Sequence, residues 1–563
     1  MRTMTEPLIP DDSQKTGRWK YWVPRMATAI FVPLLILALA ESALRLFNVG
    51  YSTELMSDCT VGGQPSSCYN LFFAAPFFPP GMIKAPQFYT IPKLKTPDTY
   101  RIFVLGESAA MGDPDPAYGF SRYLEVMLRE RFPTTKMEVV NTGIVAIDSH
   151  VLLPIARELA NYKPDLFFIY AGNNEVVGPY GPGTALTASS LSLPAIRSSI
   201  FVRSTRLGQL LAKASQPRSD WKGMEMFLDK QVRADSPSLQ RTYANFASNL
   251  RDIVTAARGS GARVLLSTVA TNLKDCPPFA SLHRDGLSPE ALGQWSSMME
   301  RGVVLENARS FAEALNAYTA AAKIDDQYAE LQYRIARCLW ARGEYAPAKV
   351  HFVRAQDLDT LRFRADTKIN EIIRAVANSS GKQVELLDAQ SALEGESPDG
   401  VIGSELLYEH VHLNPQGNYL LARAAFVQIV SSFPAGIRAS APSIDPLSES
   451  ECERLLAFTS HDRSRIAAEM IQRMQRPPFT NQLNHAEQIQ NLMFKVNGSM
   501  ETFPDTLKEY QWAIAQAPND RILHYKFGFV LYDFDRNASA EQFILARPSD
   551  DFPVFLPDGT RVR

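Results

Sequence analysis

Apolar and polar residues are distributed along this chain in three distinct patterns. Near the N-terminus Met26 to Ala40 is apolar throughout, and Ala43, Leu44, Leu46 and Phe47 carry the run past Glu41 and Arg45. About 20 apolar residues span a bilayer, and Trp19, Tyr21 and Trp22 precede the run as an interfacial belt does. From 99 to about 290, short apolar runs alternate with amphipathic stretches. Runs at 101–105, 137–140, 165–170 and 263–269 predict buried strands, with helices at 119–132 and 150–162 between them. Helical patterning returns at 361–380, and 383–388 predicts a further strand. Such alternation predicts an α/β unit with a parallel sheet and helices on both faces, whose ligands bind beyond the carboxyl ends of the strands. Between 291 and 360 the period is longer. Gly302/Ala336, Leu305/Leu339, Phe311/Tyr345, Ala314/Ala348, Tyr318/Phe352 and Ala321/Ala355 each lie 34 residues apart, as recurring helix pairs require.

These patterns divide the chain into a basic tail (1–25), an apolar segment (26–47) and a Pro- and aromatic-rich lead-in (48–98). Core halves at 99–290 and 361–435 follow, with the helical insertion at 291–360 and a helical C-terminal part at 436–563. The lead-in has no clear period and predicts an extended surface segment. In the tail, Tyr510, Ala513 and Pro518, then Gly528, Leu531, Phe543 and Ala546, suggest further repeats.

Arg2, Lys15, Arg18, Lys20 and Arg25 precede the apolar segment. The positive-inside rule puts that end in the cytoplasm and the bulk of the chain outside it. This predicts a single-pass protein of a bacterial-type inner membrane with its remaining domains periplasmic or extracellular. Ala38-Leu39-Ala40 leaves a cleaved signal peptide as the alternative. In an oxidising compartment Cys59 and Cys68 can pair or stay as two thiols. The net charge of −2 carries no nucleic-acid footprint. Without a CxxC pair or an HExxH helix, no metal and no cofactor is expected.

Four blocks carry chemistry. Gly106-Glu107-Ser108 follows the first strand, where a strand-to-helix corner can raise a hydroxyl beside free N–H groups. Asn141-Thr142-Gly143 follows the second strand and Ala171-Gly172-Asn173-Asn174-Glu175 the third. Glycines there let the backbone approach a ligand, and Asn173 can donate to an oxyanion. Glu409-His410-Val411-His412 lies far downstream, with the glutamate three residues before a histidine suited to general-base work.

In this order the blocks resemble the SGNH (GDSL-like) hydrolase family. The resemblance implies a flavodoxin-like three-layer core with Ser108 as nucleophile, His412 as base and Glu409 orienting the base. It also implies an oxyanion hole from the Ser108 N–H and Asn173, with Gly143 or Ala146 supplying a further N–H. Three departures stand out. Gly-Glu-Ser replaces the usual Gly-Asp-Ser, Glu-x-x-His replaces Asp-x-x-His, and Ala146 stands where many members have glycine. The 34-residue period resembles tetratricopeptide repeats, which implies either a protein partner in a groove or a brace on the core. The expected activity is hydrolysis of a carboxylic ester, on a glycan, a lipid or a small molecule, through an acyl-serine. Transfer of the acyl group to a sugar hydroxyl is a variant, and a catalytically silent envelope scaffold is the rival.

Overall fold

The computed structural model describes residues 13–187, 191–215, 220–496 and 502–562. Residues 1–12, with Arg2, lie outside the described residues, as do the side chains of 13–21, with Lys15, Arg18, Trp19, Lys20 and Tyr21. The first described element is the helix Ser13–Leu46. Its stretch Trp22–Leu46 is long and apolar enough to cross a membrane, and its apolar part is not buried by the other described residues.

The lead-in is not irregular. It contains a three-stranded antiparallel sheet of β1 (Met56–Val61), β2 (Gln64–Tyr69) and β3 (Thr90–Pro92). Gly62 and Gly63, with φ of 55° and 74°, make the two-residue turn between β1 and β2. A two-residue hairpin turn with both central residues at positive φ favours glycine, so this pair signals a hairpin that the aperiodic composition hid. Cys59 and Cys68 are joined by a disulfide across the hairpin, with Cα atoms 5.9 Å apart.

The central sheet contains β4 (Thr99–Gly106), β5 (Lys136–Asn141), β6 (Leu166–Tyr170), β7 (Arg263–Ser267) and β8 (Val384–Leu387). Neighbouring strands are all parallel, in the order β5-β4-β6-β7-β8. This is the flavodoxin-like order, whose switch point lies between β4 and β6. Every residue of β4 and β6 is buried, which explains their unbroken apolar runs: a parallel sheet is covered on both faces. Helices Phe120–Arg131 and Pro415–Ser431 pack together, and Ser149–Leu159, Pro237–Gly259 and Thr367–Ser379 form the second set. Right-handed crossovers put the two sets on opposite faces.

The 34-residue period corresponds to two helix pairs, Pro289–Asn307 with Phe311–Ala322 and Ala329–Ala341 with Tyr345–Leu358. They share a core of their own, including Trp295, Tyr318, Ala336 and Phe352. Gly302 is required by close approach, since a Cβ there would lie 2.3 Å from the Tyr318 ring. Leu273 and Val401 of the α/β unit belong to this helical core, and Tyr333 Oη donates to the Lys274 carbonyl at 2.6 Å. The insertion is therefore docked on the unit it interrupts.

The C-terminal part is helical from Glu449–Leu455 to Arg536–Ala546. It is bound to the core by buried polar contacts. Tyr510 Oη lies 3.0 Å from Tyr118 Oη, Lys526 Nζ lies 2.7 Å from Asp115, and Arg122 pairs with Asp520. At its end Asp550 accepts the N–H groups of Gly62 and Gly63 at 2.9 and 3.0 Å, which ties the C-terminus to the β1–β2 turn.

Candidate active site

β4 delivers the first block. Its last residue, Gly106, has no room for a side chain: a Cβ would lie 2.1 Å from the Tyr170 carbonyl oxygen. Glu107 is the N-cap residue of the short helix Ser108–Met111. Ser108 thus opens a helical turn, where a backbone N–H has no intrahelical acceptor. The Glu107 side chain points inward and braces the third block. Its carboxyl accepts the N–H groups of Gly172, Asn173 and Asn174 at 3.1, 2.9 and 3.4 Å. Burial, reinforced by Glu175, pushes the Glu107 carboxyl up to about 8 despite these donors.

The second block packs against the same short helix. Asn141 Nδ2 donates to the Ala110 carbonyl and to Ser121 Oγ, both at 2.8 Å. Its Oδ1 accepts the Gly143 N–H at 2.9 Å. That bond occupies the Gly143 donor, and a Cβ on Gly143 would meet Met111 N at 2.7 Å. Gly143 therefore serves close approach. Ala146 stands instead on the wall of the cavity that holds Ser108, with a φ of 60° that glycine adopts more easily.

The third block separates two neighbouring asparagines. Asn173 is buried, its Oδ1 accepts the Ala365 N–H at 3.1 Å, and it does not line the cavity. Asn174 does line it, with Nδ2 donating to the Ile147 carbonyl at 3.0 Å. Of the two, it is Asn174, one residue beyond Asn173, whose side chain lines the cavity with Ser108. Their composition is identical, so only the backbone path after Gly172 distinguishes them.

The fourth block lies in a loop pinned by an antiparallel bridge between Leu407 and Leu413 and by the Tyr408 N–H donating to the His412 carbonyl at 2.9 Å. Here His412 Nε2 is 2.8 Å from Ser108 Oγ, and His412 Nδ1 is 2.6 Å from Glu409 Oε1. The same Glu409 oxygen accepts the His412 backbone N–H at 2.8 Å. Glutamate, one methylene longer than aspartate, curls back onto its own loop and reaches both groups. Burial lowers the His412 imidazole to about 4, opposed by Asp113. His410 is buried against the rings of Phe279 and Phe479, and its Nδ1 abuts the second Glu409 oxygen.

Two further residues escaped the sequence pattern. Asp113 Oδ2 lies 3.2 Å from His412 Nε2 and pairs with Arg473, which projects from the helix Ser460–Met474. Burial raises the Asp113 carboxyl, but His412 and Arg473 outweigh it and hold the group below its ordinary value. His412 thus sits between two carboxylates, Glu409 at Nδ1 and Asp113 at Nε2.

The cavity, about 530 Å³, opens beyond the strand ends. Ser108, His412, Ala146 and Asn174 line it together. Trp221, Met224, Phe227, Phe363 and Phe479 supply apolar wall, and Lys84, Arg473 and Arg476 supply positive charge. Glu409, His410 and His412 also bring three ligand-capable atoms within 4.8 Å of one another. A metal there would compete for the His412 nitrogens that face Glu409 and Ser108.

No protein-family model and no curated protein sequence matches the chain. Among solved structures, one similar chain is an acetyl xylan esterase, AlAXEase, at 12% identity over 58% of this chain and 99% of that one, with a TM-score of 0.27. Another is LAE5, an alpha/beta hydrolase enzyme from the metagenome of Lake Arreo, Spain, at 11% identity over 62% of this chain and 99% of that one, with a TM-score of 0.27. TM-scores this low carry no functional argument.

Proposed function

We propose that the protein is an exported, membrane-anchored serine esterase of the SGNH type that cleaves a carboxylic ester through an acyl-serine. The observation that carries this reading is the hydrogen-bonded row from Ser108 Oγ through His412 to Glu409, at 2.8 and 2.6 Å, in one cavity. Glu409 accepts the Nδ1–H and leaves the Nε2 lone pair facing the hydroxyl. Ser108 Oγ attacks the ester carbonyl as its proton passes to Nε2. The imidazolium then lies between Glu409 and Asp113, and the developing oxyanion meets the N–H groups of Ser108 and Ala146 and the second Nδ2 hydrogen of Asn174. The Nε2 proton leaves with the alcohol. Water, activated by the same nitrogen, adds to the acyl group, and Ser108 departs with its proton restored. A sugar hydroxyl in place of water gives acyl transfer by the same steps. The apolar wall suits an acyl group.

Turnover of acetyl, short-chain and long-chain esters tests the reading. The intact chain should hydrolyse at least one class, and Ser108→Ala and His412→Ala should each abolish that turnover without unfolding the protein. Unchanged turnover in Ser108→Ala would refute it. Product analysis with a glycan acceptor present separates transfer from hydrolysis.

A further inference from the structure

The end of the N-terminal helix is locked to the catalytic unit without a linker. The Glu41 carboxylate accepts the N–H groups of Arg206 and Leu207 at 3.1 and 3.0 Å, and so caps the helix Arg206–Ser215. Immediately beyond the N-terminal helix, Tyr51 is held through its N–H and its carbonyl by the Gln209 amide, both at 3.0 Å. A second helix, Leu193–Ser204, packs on the first. The helix Arg206–Ser215 therefore meets the end of the apolar helix, and Leu193–Ser204 packs on it in turn.

Several of their outward residues are large and apolar. Phe201 is 71% exposed, Leu211 68% and Val202 51%; Leu46 at 78% and Phe47 at 76% are likewise exposed where the long helix ends. Arg203, Arg206 and Lys213 stand on the same two helices. Apolar side chains mixed with cations are the composition of an interfacial helix on an anionic bilayer. The lengths agree. A helix of 25 residues, Trp22–Leu46, is about 38 Å long at about 1.5 Å per residue, against a hydrocarbon core of about 30 Å. Its last turns, with Glu41, thus come to head-group depth.

We propose that the helices Leu193–Ser204 and Arg206–Ser215 lie in the head-group layer, so that the catalytic unit is seated on the bilayer rather than tethered above it. This rests on the anchor reading of the N-terminal helix. The seat sets the height of the active site over the membrane and favours an ester carried by a lipid or by a glycan close to the surface.

The test uses the full chain in vesicles of phosphatidylcholine and phosphatidylglycerol. Phe201→Cys and Leu211→Cys each receive an environment-sensitive fluorophore, and the native thiols Cys276, Cys338 and Cys452 are buried. Blue-shifted emission at both sites, quenched by nitroxide-bearing lipid, is expected. Val304→Cys, on the helical insertion, should emit as in water and resist that quenching. Water-like, unquenched emission at 201 and 211 would overturn the proposal. So would shielding that follows protein concentration rather than lipid, which marks a second copy of the chain as the occupant. Intact mass reports separately whether residues 1–40 are retained. Their loss refutes the anchor, and the emission at 201 and 211 still decides the docking.

Discussion

Glu409→Gln is the most informative single change, because two carboxylates flank the proposed base and only one of them faces Nδ1. The substitution keeps an oxygen acceptor for the His412 Nδ1–H and the His412 backbone N–H, now at 2.6 and 2.8 Å from Glu409 Oε1, but removes the negative charge. That charge acts only when His412 becomes an imidazolium. Two opposite unit charges about 4 Å apart interact by about 4 kcal/mol at an effective dielectric of about 20. At about 1.4 kcal/mol per factor of ten, kcat should fall by about 10³-fold, and by up to about 10⁴-fold if the amide also stabilises the wrong tautomer. KM should change little, since Glu409 lies behind the imidazole. The assay is steady-state hydrolysis of the best ester, with circular dichroism confirming the fold. Asp113→Asn is the paired measurement. Asp113 stands 3.2 Å from Nε2 and shares its charge with Arg473, so its loss should cost less than that of Glu409. A loss below about tenfold in Glu409→Gln, with a larger one in Asp113→Asn, would refute the triad and make Asp113 the counter-charge of the base.

Because burial lowers His412 to about 4, kcat/KM should rise with pH through about 4 and stay level into the neutral range; an acid limb near 6.5, the ordinary imidazole value, would contradict the burial argument. The same shift has a stability sign: between about 6.5 and about 4 the unfolded chain holds more protons at this site, so acidification through that window should lower the urea midpoint in the wild type and less so in His412→Gln. Asn174→Ala should slow turnover by about 10²–10³-fold, the usual cost of one oxyanion donor. Asn173→Ala should instead lower thermal stability through the lost bond to Ala365, and the reverse ranking would return the oxyanion role to Asn173. Gly302→Ala should destabilise the protein by about 1–3 kcal/mol in urea unfolding, because the methyl group meets the Tyr318 ring; a neutral result would contradict the packing of the first helix pair.

The central sheet was legible because β4 and β6 are buried on both faces and leave short, unbroken apolar runs between amphipathic helices. The meeting of the first three candidate blocks was legible because parallel topology places the ends of β4, β5 and β6 side by side, so residues at successive strand ends become neighbours. Finer placement was harder. Asn173 and Asn174 are the same residue type in adjacent positions, and packing against Ala365 decides which of them is occupied. The β1–β2 hairpin carried its signal in Gly62 and Gly63, masked by the prolines and aromatics around it. Asp113 and Arg473 lie 360 residues apart, and no local period links them. Their meeting follows from the seating of the C-terminal helices on the core, where Leu456, Phe458, Ile466, Met470, Met474 and Phe479 join the central apolar cluster. For the same reason a C-terminal part that looks like an appendage in sequence supplies Arg473, Arg476 and Phe479 to the cavity.

The proposed chemistry requires Ser108 to be a nucleophile. Its hydroxyl reacts only if the base at 2.8 Å and the oxyanion donors are assembled by the fold, because an ordinary serine does not react with a fluorophosphonate. The most direct measurement is therefore mass spectrometry of the native protein after fluorophosphonate treatment. One adduct per chain is expected on the peptide carrying Ser108, absent after denaturation and absent in Ser108→Ala and His412→Ala. A well-folded protein that takes up no label at Ser108, or labels as fast without His412, would contradict the account.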